Sequence, residues 1–201
     1  MLEKETLDKI ETLLSAKKIS IYKEKFSSKW FEAYKAELNE AKEIFIYLHF
    51  LEVFLRNKIA VEFSLDFGDW LFDDRCQLKL NFKEQEKIKK VIAELTKTKK
   101  EINLDNTVST LNFGFWTNLF HKSYNYSVWQ ENKMIDRVFP FLKSNQRNLV
   151  KIQKEMEAIR KYRNRIFHFE SLQSWNFEEM KNLINKFIFG ISGVQISEII
   201  K

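Results

Sequence analysis

The chain has 201 residues, a net charge of +6 and 44% hydrophobic residues, including 19 Phe. This apolar content is enough for one sizeable core and excludes an intrinsically disordered chain. Only 4 Gly and 1 Pro occur, and because all-β folds need many turn residues, the composition favours long helices. The single Cys76 excludes an internal disulfide, and together with scattered histidines it argues against a zinc site.

The most apolar segment is too short to cross a membrane. Residues 44–55 form a run of 12 residues that still contains His49 and Glu52, whereas a spanning helix needs about 20 apolar residues. The first 14 residues carry charges throughout and lack the apolar stretch of a signal peptide. With one cysteine in the chain, these features predict a cytoplasmic protein that does not contact a membrane.

The hydrophobic pattern predicts helices from the beginning of the chain. A short amphipathic helix is expected over residues 3–16, with apolar positions at Leu2, Leu7, Ile10, Leu13 and Leu14. A long central helix is expected from about 28 to 65. Its predicted buried stripe comprises Leu38, Ala41, Phe45, Leu48, Leu55 and Ile59, and a second stripe beside it comprises Ile44, Tyr47, Leu51 and Phe54. Gly68 is expected to end this helix.

Four further segments are predicted after Gly68. Asn81 is predicted as N-cap and Glu84 as its capping-box partner, in a helix that ends in the lysine-rich stretch 97–100. Residues 106–124 are predicted to be helical, with core aromatics at Phe113, Phe115, Trp116 and Phe120. A long helix is expected over about 146–168. The same Asn-x-x-Glu pattern recurs at 176–179, where Asn176 is predicted to start a last helix that buries Ile184, Phe187, Ile188 and Ile191. We therefore predict one all-α domain over residues 1–201.

Polar side chains interrupt the apolar stripe of the predicted 146–168 helix. Arg163 is the one polar member of that stripe, which otherwise comprises Leu149, Ile152, Met156, Ile159 and Ile166. A neighbouring column contains Gln153, Glu157, Arg160, Asn164 and His168. Asn164 and His168 are four positions apart, where side chains on one face meet. Arg163 and His168 are separated by about 140° on an ideal helix, which allows a shared site without requiring one.

A carboxylate also lies within the apolar stripe of the central helix. Burying Glu52 is costly unless the charge is paired. Arg56 follows one turn later, so a structural salt bridge between the two is one interpretation. The other is that Glu52 orients the basic group on the second long helix.

The combination of Arg, Asn and His suits one reaction, the cleavage of RNA by its own 2′-hydroxyl. The chain has no Gly-rich phosphate loop and no cluster with metal-ligand spacing. Histidine can transfer protons near neutral pH. Arginine can bind a phosphate and stabilise its transition-state charge, and asparagine can orient the imidazole. Such a site would cut RNA but not DNA, and we expect no metal or other cofactor.

Basic residues are concentrated around this motif. Residues 143–170 contain eight basic and three acidic side chains, a difference of +5 that nearly equals the net charge of the protein. The candidates for RNA contact are Lys154, Arg160, Lys161 and Arg165, although Arg165 could equally be a solvated charge. The lysines of 83–100 are interpreted as a solvated helix face. His49 and His121 are expected to be structural or surface residues.

Four segments together resemble a known family. The segment "RNRIFHFE" (163–170) resembles the R-N-x-x-x-H signature of HEPN ribonuclease domains, and most closely their Abi-like (abortive infection) branch, in which the motif continues into H-x-E through a residue matching Glu170. "LHFLEVFLRNKIA" (48–60) resembles the long helix of that family and includes Glu52 and Arg56. "FGDWLF" (67–72) and "LNFGFWTNLF" (111–120) resemble its two aromatic stretches, in the same order. Together the matches extend over about residues 30–175.

The resemblance implies a fold, an activity and a set of partners. The fold would be a HEPN-type helical bundle built on two long antiparallel helices, with additional short helices. Arg163 and His168 would be the catalytic pair, Asn164 would belong to the same site, and Glu52, Arg56 and Glu170 would support it. HEPN enzymes cleave RNA without metal and usually form their site between two copies, so a homodimer is implied. The Abi-like branch implies phage defence as a toxin, with an antitoxin or regulatory non-coding RNA as a possible partner.

Two other functions remain open from the sequence. The chain could be a non-catalytic RNA-binding protein that holds a guide or antitoxin RNA through the basic 143–170 face. It could also be a dimerisation module in which the polar column fixes the register of the partner.

Overall fold

The computed structural model describes residues 4–200, which contain eleven α-helices and no β-strand. The predicted all-α fold is therefore confirmed. The helices are α1 (Lys4–Leu14), α2 (Ala16–Phe26), α3 (Trp30–Phe67), α4 (Asp74–Gln77), α5 (Phe82–Lys97), α6 (Leu104–Thr110), α7 (Phe113–Asn118), α8 (Met134–Val138), α9 (Leu149–Phe167), α10 (Phe177–Ser192) and α11 (Ile196–Ile199). No helix within the described range has the length and apolar character needed to cross a bilayer.

Helix α3 is the central element of the fold. Its 38 residues extend about 57 Å at 1.5 Å per residue, and it ends where Gly68 adopts a φ of 64°, as the sequence predicted. Its buried face comprises Ile44, Tyr47, Leu48, Leu51, Leu55 and Ile59. The predicted burial of Leu38 and Phe45 was wrong, because both side chains are about half exposed. At 100° per residue they lie more than about 100° from Leu51, at the edge of the buried face.

The two long helices of the prediction, α3 and α9, are antiparallel. Phe45 packs against Phe167, and Glu52 binds Arg163, so positions advance along α3 as they recede along α9. Helix α10 is also antiparallel to α9, because Glu155 pairs with Lys186 while Tyr162, farther along α9, packs against Trp175 just before α10. It therefore runs parallel to α3, on which it packs extensively. Its predicted core residues Ile184, Phe187, Ile188 and Ile191 are all buried. The main core thus lies between α3, α9 and α10.

The aromatic segment between α5 and α9 fills the other side of this core. Phe113, Phe115, Trp116 and Phe120 are buried, as predicted. The prediction of one helix over 106–124 was wrong, because α6 ends at Thr110 and α7 starts anew at Phe113. The Asn112 side chain accepts a hydrogen bond from the Phe115 amide at 3.0 Å and caps the new helix, which favours the break at this position.

The two predicted Asn-x-x-Glu helix starts have different outcomes. Asn176 caps α10 by accepting a hydrogen bond from the Glu179 amide at 3.1 Å, as expected. Asn81 occupies the N-cap position of α5 but makes no side-chain cap. Its amide group donates to Ser123 Oγ, and Glu84 is buried against Tyr124. The predicted capping box at Asn81 and Glu84 was therefore wrong.

The N-terminal part forms a smaller cluster of its own. The expected helix over 3–16 is α1, and its positions Leu2 and Glu3 lie outside the described residues. Ser15, with a φ of 70°, separates α1 from α2, a helix that the sequence analysis did not predict. Ile19, Tyr22 and Trp30 form a small core where α2 meets the beginning of α3. The single domain over 1–201 stays a prediction.

Candidate functional site

Arg163 is held in place by α3. Its Nε donates a hydrogen bond to Glu52 Oε1 at 2.9 Å, and both side chains are about one quarter exposed. On its other side, the guanidinium carbon lies 3.9 Å from the centre of the Phe167 ring, a distance at which a cation is attracted to the aromatic face. An ion pair and a stacked ring therefore fix the guanidinium at the edge of the core.

Most of the hydrogen-bonding capacity of Arg163 is unused. A guanidinium has five N–H donors, and the second donor in use is a long bond of 3.4 Å from Nη1 to Asn164 Oδ1. The three others have no partner among residues 4–200. The group is thus positioned and charged, with donors available for an anionic ligand such as a phosphate.

Glu52 pairs with the arginine of the other long helix and not with Arg56, its neighbour on α3. Arg56 donates to Asn57 Oδ1 at 3.2 Å and to the Ser109 carbonyl at 3.4 Å. A salt bridge between Glu52 and Arg56 is not formed. Glu52 instead contacts the basic group of the other long helix, as the second interpretation required.

His168 occupies the C-cap of α9. The Phe169 amide donates a hydrogen bond to the Ile166 carbonyl, and the Glu170 amide donates one to the Arg165 carbonyl. Phe169 has a φ of 55°. This pattern is the Schellman motif, which turns the chain away from the helix axis. The His168 side chain is exposed and has no hydrogen-bond partner within the described part of the chain. A proton-transfer group therefore lies open to solvent at the helix end.

The predicted contact by which Asn164 would hold His168 is absent. Between these residues, the one hydrogen bond in the described structure joins the His168 amide to the Asn164 carbonyl. The reason is local geometry, because His168 has φ −95° and ψ 8° and has left the helical conformation. Side chains four apart meet only while the helix continues.

The four candidates for RNA contact differ in their availability. Arg160 donates to Asn118 Oδ1 at 2.7 Å, and Arg165 donates to the Ser171 carbonyl at 2.8 and 2.6 Å. Lys161 pairs with Glu157 on the surface of α9, and Lys154 is exposed. Glu170 pairs with Arg165 at 3.2 Å. Arg165 and Glu170 thus hold the chain after His168, while the two lysines remain the accessible cations.

An apolar surface adjoins the site. Phe45 and Phe167 are 48% and 41% exposed, with ring centres 5.7 Å apart, and Phe169 is 74% exposed. Phe45 and Phe169 also line a groove of about 330 Å³, together with Leu38. Exposed apolar surface of this kind is typical of a protein interface.

Glu37 is a site residue that the sequence analysis missed. It is 7% exposed and accepts hydrogen bonds from Tyr22 Oη at 2.5 Å, Gln173 Nε2 at 3.0 Å and Ser171 Oγ at 3.4 Å. Burial and the hydrogen bond to Glu37 raise the pKa of Tyr22. The carboxylate therefore fixes the loop that follows His168. Its position seven residues before Ile44, on the same face of α3, is the signal that could have indicated its burial.

Comparisons with known proteins identify no relative of this chain. No model of a known protein family, no curated protein and no solved structure matches the chain significantly. Among residues 4–200, no group of three His, Cys, Asp or Glu side chains is arranged to hold a metal ion. The contacts of Arg163 and the exposure of His168 are therefore the observations that bear on function.

Proposed function

We propose that the protein is a metal-independent endoribonuclease of the HEPN type, which acts in bacterial phage defence as an abortive-infection protein or toxin. The observation that carries this proposal is the state of Arg163. Its guanidinium is ion-paired to Glu52 and stacked on Phe167, yet three of its donors have no partner among residues 4–200. His168, five residues later at the end of the same helix, is exposed. The likeness of 163–170 to the family motif supports the same assignment.

In the proposed mechanism, the free donors of Arg163 bind the nonbridging oxygens of the scissile phosphate and stabilise their growing charge. The 2′-hydroxyl gives up its proton and attacks phosphorus, a new P–O2′ bond forms, and the P–O5′ bond breaks as the departing 5′-oxygen takes up a proton. His168 takes part as general acid or base in these proton transfers. The products are a 2′,3′-cyclic phosphate and a 5′-hydroxyl. Asn164 contributes through its contact with Arg163, since it does not hold His168 in the single chain.

We further propose that the active form is a homodimer. The exposed Phe45, Phe167 and Phe169 would be covered by a second copy, which would bring two sets of Arg163 and His168 together. Burying this apolar surface would also exclude water from the ion pair between Arg163 and Glu52, which strengthens its electrostatic effect. RNA is the proposed substrate, and an antitoxin or regulatory non-coding RNA would restrain the activity.

The first test uses an end-labelled structured RNA in EDTA with wild type, His168→Ala and the control His49→Ala. His49 is an exposed histidine on α3. We expect wild type and His49→Ala to cleave equally, and His168→Ala to be slower by about 100-fold or more, the usual contribution of general acid–base catalysis. The new ends should be cyclic phosphates.

Two results would contradict this proposal. A product with a 5′-phosphate would exclude attack by the 2′-hydroxyl, and equal cleavage by all three proteins would place the activity elsewhere. Tight RNA binding by all three without cleavage would support the second candidate, a protein that holds a guide or antitoxin RNA. The absent contact between the Asn164 and His168 side chains is the observation that favours that candidate.

A further inference from the structure

Two adjoining cavities lie along the polar face of α9, away from the apolar surface near Phe45. The larger, of about 320 Å³, is lined by the beginning of α9 and by residues 122–135. The smaller, of about 190 Å³, lies between α9 and the end of α7. They share Gln153, and the consecutive residues His121 and Lys122 line one cavity each. The two cavities therefore form one grooved surface.

Amide side chains are the common feature of this surface. Five of them line it: Asn118, Asn125, Gln130, Asn148 and Gln153. Of the four charged side chains beside them, Arg147 pairs with Asp136 and Glu157 pairs with Lys161, whereas Lys122 and Arg160 have no carboxylate partner within residues 4–200. Asn118 already uses its donor and its acceptor on Glu84 and Arg160, and the Asn148 oxygen caps α9. Gln153 and Gln130 keep donors and acceptors that a neutral polar ligand could use.

Gln153 is the member best placed to bind a ligand. It lies at the junction of the cavities and is only partly exposed, and its side chain makes no hydrogen bond within residues 4–200. Trp129, Ile135 and Leu149 supply apolar wall in the larger cavity. A nucleobase has the matching chemistry, since its edge carries donors and acceptors and its faces are apolar.

The direction of the groove connects it to the proposed site. Gln153, Glu157, Arg160 and Asn164 fall within about 60° of one another around α9, at 100° per residue. Asn164 lies about 16 Å beyond Gln153 along the axis, at 1.5 Å per residue, and it contacts Arg163. A strand bound in the groove would therefore continue toward Arg163 and His168.

We infer that this groove binds unpaired bases of a single-stranded RNA, next to the phosphate that Arg163 holds. The inference rests on the proposed function for the identity of the strand. It assigns base contacts to the amides of the groove, and it leaves backbone contacts to accessible lysines such as Lys154. Base contacts give sequence or base preference, whereas phosphate contacts mainly give affinity.

Binding can be measured separately from cleavage by working with His168→Ala protein. The probe is a short fluorescent single-stranded RNA, compared with an abasic strand of the same length, by fluorescence anisotropy. Adding Gln153→Ala should weaken binding of the base-bearing RNA by about tenfold, as expected for lost hydrogen bonds in a partly buried site, and should leave binding of the abasic strand unchanged. Asn39→Ala, an exposed amide on α3 outside both cavities, is the matched control.

A second variant protects the test against a folding defect at Gln153. Gln130 is exposed, so Gln130→Ala should fold normally and weaken only the base-bearing RNA, by a few-fold. Free nucleoside monophosphates should not displace the RNA at comparable concentrations, because one base fills only part of the groove. Displacement would point to a free nucleotide as ligand and overturn the inference.

The outcomes separate this inference from the nuclease proposal. If wild type cleaves RNA but Gln153→Ala and Gln130→Ala bind it as Asn39→Ala does, the groove inference fails alone. If base-dependent binding requires Gln153 but wild type never cleaves, the groove stands and the nuclease proposal fails. If no variant binds RNA at physiological salt, both fail.

Discussion

Glu84 on α5 and Glu52 on α3 both bind side chains from distant helices, but they do so in opposite surroundings. Glu84 is 3% exposed and accepts hydrogen bonds from Tyr124 Oη at 2.7 Å and Asn118 Nδ2 at 3.1 Å, with Lys87 at 3.3 Å. Glu52 is one quarter exposed and, within residues 4–200, has a single partner, Arg163. The Glu84 carboxylate therefore has its hydrogen-bond partners inside the protein, whereas Arg163, the partner of Glu52, keeps N–H donors that bind no residue among 4–200.

The difference indicates separate roles for the two regions. Asn118 links Glu84 to Arg160, so one network joins α5, α7 and α9. A buried network whose members are all satisfied fixes the packing of the elements that it joins. A partly exposed ion pair stabilises a fold by little, and the proposed function gives the pair of Glu52 and Arg163 a different role, which is to position Arg163 for a phosphate.

The largest expected effect is on stability, at Glu84. The change Glu84→Ala removes the acceptor of a buried tyrosine hydroxyl and of the Asn118 amide. We expect it to lower the free energy of unfolding by about 3 kcal/mol, the sum of unsatisfied buried groups and a small cavity. Urea denaturation at neutral pH measures this change.

The neighbouring Glu86 provides the matched control. Its pair with Lys89 is on the surface, with 36% and 68% of the side chains exposed, so Glu86→Ala should change stability by less than about 0.5 kcal/mol. Equal losses for the two variants would mean that the Glu84 network does not hold α5 against α7.

The next effect is on activity, at Glu52, and it rests on the proposed function. Glu52→Gln keeps the shape of the side chain but removes the charge that orients Arg163. We expect the rate of RNA cleavage to fall by about tenfold, which corresponds to roughly 1.4 kcal/mol. The free energy of unfolding should change by less than about 1 kcal/mol.

Glu155 lies on the same helix as Arg163 and offers the control for this change, since it forms a comparable, mostly buried pair with Lys186 of α10. Glu155→Gln should cost similar stability and leave cleavage unchanged. If both variants slow cleavage equally, the ion pair of Glu52 acts through the fold and the contrast between the two regions disappears.

The same contrast explains which parts of the structure could be predicted from sequence. Both helix starts with the pattern Asn-x-x-Glu look alike, yet only Asn176 caps its helix. At Asn81 the local preference is overridden by Tyr124 and Ser123, about 40 residues later in the chain. Local capping energies of about 1 kcal/mol cannot compete with burial of a complete hydrogen-bonded network.

At the candidate site, the sequence predicted the helix and its polar column but not the contacts. Periodicity placed Ile152, Met156 and Ile159 in the core, where they are fully buried. It could not show that His168 leaves the helix, because Phe169 is an unusual residue for the left-handed turn that ends α9. Nor could it select Arg163 over Arg56 as the partner of Glu52, since that choice depends on how α9 packs against α3.

The smallest effect concerns pH and would sharpen the contrast at Glu84. Burial tends to raise the pKa of this carboxyl, but the hydrogen bonds from Tyr124 and Asn118 and the Lys87 ammonium outweigh it and hold the pKa below its ordinary value. A carboxyl whose pKa is lowered by folding stabilises the protein above its unfolded pKa, which is about 4.3 for Glu. That contribution is lost as the pH falls through the lower, folded pKa.

The variant Glu84→Gln has no such ionisation, so wild type should be the more stable protein at pH 7, and its advantage should shrink as the pH falls below about 4. Urea denaturation of both proteins between pH 7 and pH 3 measures the difference in their free energies of unfolding. Groups that both proteins share, such as Asp66 and its partner Arg137, titrate alike in both and cancel from this difference. A difference that stays constant over this range would mean that Glu84 is not held ionised by its partners.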